Sequence, residues 1–341
     1  MTSFILQRKD IRALLVGVLF SLAFTGLIAW AGQFLDHTGF IVSSDPSWYF
    51  WRLPNPTFWT HATAWGLYLL HQVTVWGLIY YAQTRVKTYT SGLHRVNVLA
   101  LAANAAFILL HFVQTHLFYD GLAQDVSVWS SQVSVVILLV WVLLMENQRR
   151  GLFAGKKVPI SKQITAFARK YHGYYFAWAT VYTFWYHPME NTPGHLIGFF
   201  YMFLLLLQGS LFLTRIHVNK YWTIVSEVTV LFHGTLVAIY QGHGLWPMFA
   251  FGFAGIFVLT QMHGLRLPAW SKWLIFGAYL AAALAVYSGR GWNKAYELLS
   301  IPLIEYASVF ALALIFGLGL RLFGRRQGPA QQDVAGKKLA T

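Results

Sequence analysis

The chain of 341 residues has no cysteine. This absence excludes disulfide bonds, a thiolate nucleophile, cysteine-ligated zinc and iron–sulfur clusters. Charged residues are also scarce: they make up 11% of the chain, whereas soluble domains carry about 25%. Hydrophobic residues account for 57% of the chain. This composition excludes a soluble globular enzyme, a disordered chain and a fibrous repeat.

Several motifs of common enzyme classes are missing as well. The sequence has no His-Glu-x-x-His of a zinc protease, no glycine-rich phosphate loop and no serine nucleophile elbow. The His-x-x-His-His pattern of membrane desaturases and hydroxylases is also absent. The motifs that are present do not point to a known family.

Long apolar runs are what the chain has in abundance. A helix that crosses the hydrocarbon core needs about 20 mostly apolar residues. Ten such runs predict an all-α, polytopic membrane bundle, with a single transmembrane domain at 1–323 and a disordered cytoplasmic tail at 324–341. The runs are 12–35, 59–83, 95–119, 126–146, 168–187, 195–216, 221–243, 246–263, 270–289 and 299–323.

The basic residues predict the orientation of this bundle. If the N-terminus is placed in the cytoplasm, 22 of the 25 Lys and Arg residues fall on the cytoplasmic side of the ten spans. Only Arg52, Arg290 and Lys294 fall outside. We therefore expect both termini to be cytoplasmic and the protein to lie in the plasma (inner) membrane. A nucleic-acid partner is not expected, because the net charge of +14 comes from residues that flank the spans.

The start of the chain requires a separate interpretation. Three basic residues precede the first apolar run, which gives this segment the pattern of a signal peptide. The length of the run and the spans that follow predict an uncleaved helix instead.

The 13 histidines sort by depth along the predicted helices. A helix rises about 1.5 Å per residue, which places one group of histidines near the extracytoplasmic boundary and a second group about 12–18 Å from the outer ends of their helices. The first group is His61, His116, His187, His195 and His243, and the second is His71, His111 and His233. Ionisable residues inside a membrane are costly and usually functional, so we expect these side chains to share one site.

The chemistry of imidazole makes this set a predicted metal site. Neutral imidazole binds iron, copper and zinc, and the absence of thiolates favours iron or copper. Haem b is an alternative, with its axial ligands drawn from the deeper histidines. The predicted metal ligands are His61, His71, His111, His116, His187, His195, His233 and His243.

Two carboxylates are predicted to take part in the chemistry. Glu190 lies between His187 and His195 in a segment with two prolines and a glycine, which predicts a tight hairpin. Glu227 precedes His233 on the same predicted helix, where two roles stay open: a proton relay towards His233, or a protonated residue in helix packing.

The sequence leaves three classes of function open. The first is a membrane metalloprotein, an oxidoreductase of oxygenase-like or electron-transfer type, that acts on a lipidic or quinone-like molecule from the bilayer. The second is a proton-coupled transporter or lipid-modifying transferase whose histidines titrate. The third is a b-type haem cytochrome. A structural, hydrogen-bonded role remains open for each histidine, and the sequence carries no signal for an oligomeric state.

Overall fold

The computed structural model describes residues 8–37, 39–40, 45, 47–48 and 52–323, so the predicted tail at 324–341 lies outside the described residues. Within those residues the fold is all-helical, without a β-strand. The ten α-helices of the described part are α1 Lys9–Ala31, α2 Phe58–Arg85, α3 Arg95–Phe118, α4 Val128–Arg150, α5 Lys162–Tyr186, α6 Pro193–Ser210, α7 Lys220–Tyr240, α8 Trp246–Leu259, α9 Ala269–Arg290 and α10 Glu297–Phe323.

Seven of these helices are long and apolar enough to cross a membrane, namely α1, α3, α4, α6, α7, α9 and α10. The chain is therefore a multi-pass membrane protein. Helix α8 is apolar but has only 14 residues, and α2 and α5 carry more polar and aromatic side chains. Each of the ten predicted runs overlaps one helix in the sequence. The count of ten membrane spans and the side of the membrane on which each terminus lies remain predictions.

Helices that follow one another in the chain run antiparallel, as do α3 and α6, which brings helix ends together in two layers. Asn97 near the start of α3 bonds the backbone carbonyl of Ser210 at the end of α6. At the other end of the same pair, the ring of His111 contacts that of Phe199. We name the end at which α5 ends and α6 begins the histidine end, and the opposite end, at which α4 ends and α7 begins, the basic end.

The core of the bundle is aromatic and centres on α5. Phe184, Trp185 and Tyr186 are fully buried, and they pack against Phe199 and Phe203 of α6. Burying large aromatic side chains gives the close packing that fixes how helices face one another. These contacts hold the last turn of α5 against α3 and α6.

Local capping fixes where α6 and α7 begin. The side chain of Thr192 accepts a hydrogen bond from the backbone N–H of His195, and Pro193 occupies the first helical position, where an N–H would have no partner. The Asn219 side chain caps α7 by accepting from the N–H groups of Tyr221 and Trp222. The depth of every side chain on these two helices follows from these caps.

Candidate functional site

The centre of the candidate site is a pair of histidines at the histidine end. His187 follows the last residue of α5, and His195 lies in the first turn of α6. Their ring centroids are 5.3 Å apart with the planes nearly perpendicular. The hairpin at 188–192 folds back sharply enough to bring the two imidazoles into contact.

His233 joins this pair from α7. A side chain at Gly198 of α6 would place its Cβ only 3.1 Å from His233 Nε2, so the imidazole lies directly on the α6 backbone. His233 is also close enough to His187 and His195 for their charges to interact. The three half-buried rings form what we call the histidine cluster, built from α5, α6 and α7.

His111 of α3 lies beside this cluster in the core. Its ring is fully buried and stacks on Trp185, with the centroids 4.3 Å apart. Neither ring nitrogen makes a hydrogen bond of standard geometry, although the backbone of His187 lies nearby. Buried polar atoms in proteins nearly always have a partner, so His111 differs from a fully hydrogen-bonded core histidine.

His71 of α2 is engaged differently from His111. The indole N–H of Trp185 donates to its Nδ1 at 3.1 Å, and its Nε2 lies 2.7 Å from Oδ1 of Asn104. An accepting Nδ1 means that the proton sits on Nε2, which donates to Asn104. Both nitrogens are occupied, so His71 acts as a hydrogen-bonded core residue in this arrangement and has no lone pair for a metal.

Three other predicted ligands lie at separate points of the histidine end. His61, at the start of α2, has Nδ1 2.9 Å from Oδ2 of Asp125. His116, in the last turn of α3, bonds the carbonyl of Phe112 through Nδ1. His243 is exposed in the loop after α7.

Glu190 lies in the hairpin beside the histidine cluster. Its side chain is buried, and Oε1 accepts from the hydroxyl of Tyr119 and lies 2.7 Å from Nε2 of His37. Oε2 is buried without a hydrogen-bond partner. Burial and the charge of Glu190 keep the pKa of Tyr119 above its ordinary value, so the phenol stays a donor.

Glu227 lies nearer the basic end and is paired. The Arg150 guanidinium donates to both carboxylate oxygens of Glu227, at 2.7 and 3.2 Å. Arg150 is fully buried at the end of α4. Glu227 also lines a small cavity between α4, α7 and α8, whose walls are apolar except for Gln261.

Sequence reasoning missed two functional candidates. Arg150 lies among basic residues at a helix end, where the sequence indicates only that it helps to orient the chain in the membrane. Tyr201 is buried on α6, where its ring centroid is 6.3 Å from that of His233, and it lies close enough to Glu227 for their charges to interact. The available signal was spacing, since Tyr201 follows His195 by the same six residues that separate Glu227 from His233.

The histidines of the site do not form a preformed metal centre. Across the ranges that the structure describes, no group of three or more His, Cys, Asp or Glu side chains is positioned to hold a metal ion.

Comparison with known proteins does not change this description. No family model, no curated protein and no solved structure matches the chain.

Proposed function

We propose that this membrane protein transfers protons along the interface between α6 and α7. The observation that carries the proposal is one register: His195 and Tyr201 on α6 face His233 and Glu227 on α7. Each pair is six residues apart, a rise of about 9 Å. Because the two helices are antiparallel, the two pairs interleave along the interface in the order His195, His233, Tyr201 and Glu227.

The register of the two helices is supported by their packing. Gly194 of α6 lies against Val237 of α7, and Gly198 lies against His233. Four residues along α6 therefore correspond to four residues in the opposite direction along α7. Tyr201 falls between the level of His233 and that of Glu227, which makes its hydroxyl the link between the two levels.

We call the four side chains of His195, His233, Tyr201 and Glu227 the row, and they have the chemistry that a proton relay needs. A neutral imidazole has one donor and one acceptor nitrogen, and it passes a proton by accepting at one and releasing from the other. The ring of His187 contacts that of His195 at the histidine end of the row. Desolvation lowers the pKa of His187 below its ordinary value, so this ring is neutral near pH 7. Separations longer than a hydrogen bond require bridging water, which binds nearly as well as a direct partner.

The row has a titratable group at either end. At the histidine end, Glu190 contacts His37, whose side chain is 33% exposed and reaches the surface. At the basic end, Arg150 compensates the negative charge of Glu227, which burial would otherwise penalise. We propose from the basic flanks that this end faces the cytoplasm.

A liposome assay tests the relay. Purified protein is reconstituted with a trapped pH-sensitive dye, and the decay of an imposed pH step is followed. We expect His233→Ala to slow the protein-dependent decay by about a hundredfold, and Tyr201→Phe and Glu227→Gln to slow it too. His243→Ala is the matched control, because this exposed histidine lies outside the row. Decay no faster than in protein-free vesicles would overturn the proposal.

A histidine-ligated metal centre is the second candidate function, and the unpartnered nitrogens of His111 favour it. In this candidate His111, His187, His195 and His233 rotate to bind iron or copper, or haem b, in an oxidoreductase for a lipidic or quinone-like molecule. Neutral imidazole supplies the ligand atoms that these metals prefer.

Elemental analysis and a visible spectrum of the detergent-purified protein distinguish the two candidates. The metal centre predicts near-stoichiometric iron or copper that is lost in His111→Ala, and haem would add its own absorption bands. His243→Ala would keep the metal. Metal-free protein that still dissipates the pH step would exclude the metal centre and support the proton relay.

A further inference from the structure

A second polar feature of the histidine end lies outside the relay. A small pocket separates the loop after α3 from the end of α5. Its walls combine a carboxylate, an amide and backbone groups with apolar side chains. We call it the Asp120 pocket, and it is lined by Leu53, Tyr119, Asp120, Gly121, Ala123, Gln124 and Pro188.

The carboxylate of Asp120 is buried and only partly satisfied. Its side chain is 2% exposed, and Oδ1 accepts from the backbone N–H of Gly121 at 2.8 Å. Oδ2 makes no hydrogen bond of standard geometry, although the Thr60 hydroxyl lies near the carboxylate. The nearest cation candidate, Nδ1 of His61, is 3.8 Å away and lies closer to Asp125, at 2.9 Å.

The backbone around the pocket adds negative potential. Helix α3 ends at Phe118 and α5 ends at Tyr186. Carbonyl groups in the last turn of a helix carry partial negative charge. The carbonyl oxygen of Tyr186 comes so close to Gly121 that a Cβ there would lie only 2.6 Å from it.

The nearby cationic side chain does not neutralise this site. Arg52 donates to the backbone carbonyl of Gln124 at 2.9 Å, and among the described ion pairs none joins Arg52 to Asp120. Burial raises the pKa of the Asp120 carboxyl to about 6, which leaves it ionised at pH 7.5. An ionised carboxylate is costly to bury, and the one ion-pair candidate of Asp120 among the described residues, His61, is shared with Asp125.

We propose that the Asp120 pocket binds a small monovalent cation, Na⁺ or K⁺, with Oδ2 of Asp120 as its anionic ligand. A single carboxylate among carbonyl and amide oxygens supplies the hard oxygen ligands that such ions prefer. The site is independent of the proton relay, although Tyr119 connects it to Glu190 through one hydrogen bond.

Thermal unfolding of the full-length protein tests this site without any transport measurement. The melting temperature is measured at pH 7.5 in NaCl, KCl or choline chloride at equal ionic strength. We expect Na⁺ or K⁺ to raise it saturably by about 2–4 °C relative to choline. Asp120→Asn should abolish the rise. Glu146→Gln is the matched control and should keep the rise, because this carboxylate lies at the basic end and pairs with Arg149.

Two results would overturn the cation site. One is a wild-type melting temperature that is the same in all three salts, and the other is an equal loss of the rise in Asp120→Asn and Glu146→Gln. If Asp120→Asn does not fold, ²³Na or ³⁹K NMR line broadening by the wild type and by Glu146→Gln decides, since absent broadening refutes binding. If the protein does not speed the decay of the pH step in liposomes but Na⁺ or K⁺ still raises its melting temperature, only the proton relay is overturned.

Discussion

Arg150→Met is expected to lower the free energy of unfolding by about 3–5 kcal/mol. Arg150 is fully buried and binds both carboxylate oxygens of Glu227. Removing the guanidinium leaves a carboxylate in the helix bundle without its counter-charge. Denaturant-induced unfolding in detergent micelles, followed by tryptophan fluorescence, measures the loss.

Two variants separate the broken pair from a loss of packing. The double variant Arg150→Met with Glu227→Met should recover most of the lost stability, because it removes the orphaned charge as well. Arg149→Met is the matched control: its side chain is 38% exposed and pairs with Glu146, so we expect a change below about 1 kcal/mol. If the single and double variants lose the same free energy of unfolding, the unpaired carboxylate of Glu227 is not the cause of the destabilisation.

Gly198→Val is expected to slow the decay of the pH step by about tenfold or more while leaving the protein folded. The ring of His233 lies against Gly198, and even a Cβ at this position would stand 3.1 Å from Nε2. A branched side chain must push the imidazole out of the row that it shares with His195 and Tyr201. The liposome assay with the trapped dye measures the effect.

The same helix supplies the control for this substitution. Gly209 lies near the end of α6, and a Cβ there meets nothing within 4 Å. Gly209→Val therefore carries the same helix-propensity cost without touching the row, and its rate should match that of the wild type. If both variants transport equally well, the position of His233 does not limit proton movement.

Much of the helical framework was predictable because its causes are local. The apolar run at 59–83 and the helix Phe58–Arg85 differ by only one or two residues at each end. The prolines around Glu190 likewise predict the hairpin that brings His187 and His195 together. In each case, residues adjacent in the sequence determine the backbone.

The hydrogen-bond partners of the individual histidines were not predictable from adjacent residues. His71 and His111 occupy similar depths on neighbouring helices, yet only His71 has both nitrogens in hydrogen bonds. Its partners Asn104 and Trp185 are 33 and 114 residues away in the chain. Whether an imidazole meets a donor, an acceptor or neither depends on how two helices are rotated about their axes.

By itself, the sequence determined the class of this protein: an all-helical chain for a bilayer, because backbone groups in lipid must be satisfied within each apolar segment. Only the tertiary structure decided which polar side chains meet. Arg150 and Glu227 are 77 residues apart, and neither their spacing nor the composition predicts their contact. Helix register and rotation, set by the packing of the whole bundle, pair these two and leave one oxygen of Asp120 without a hydrogen bond of standard geometry.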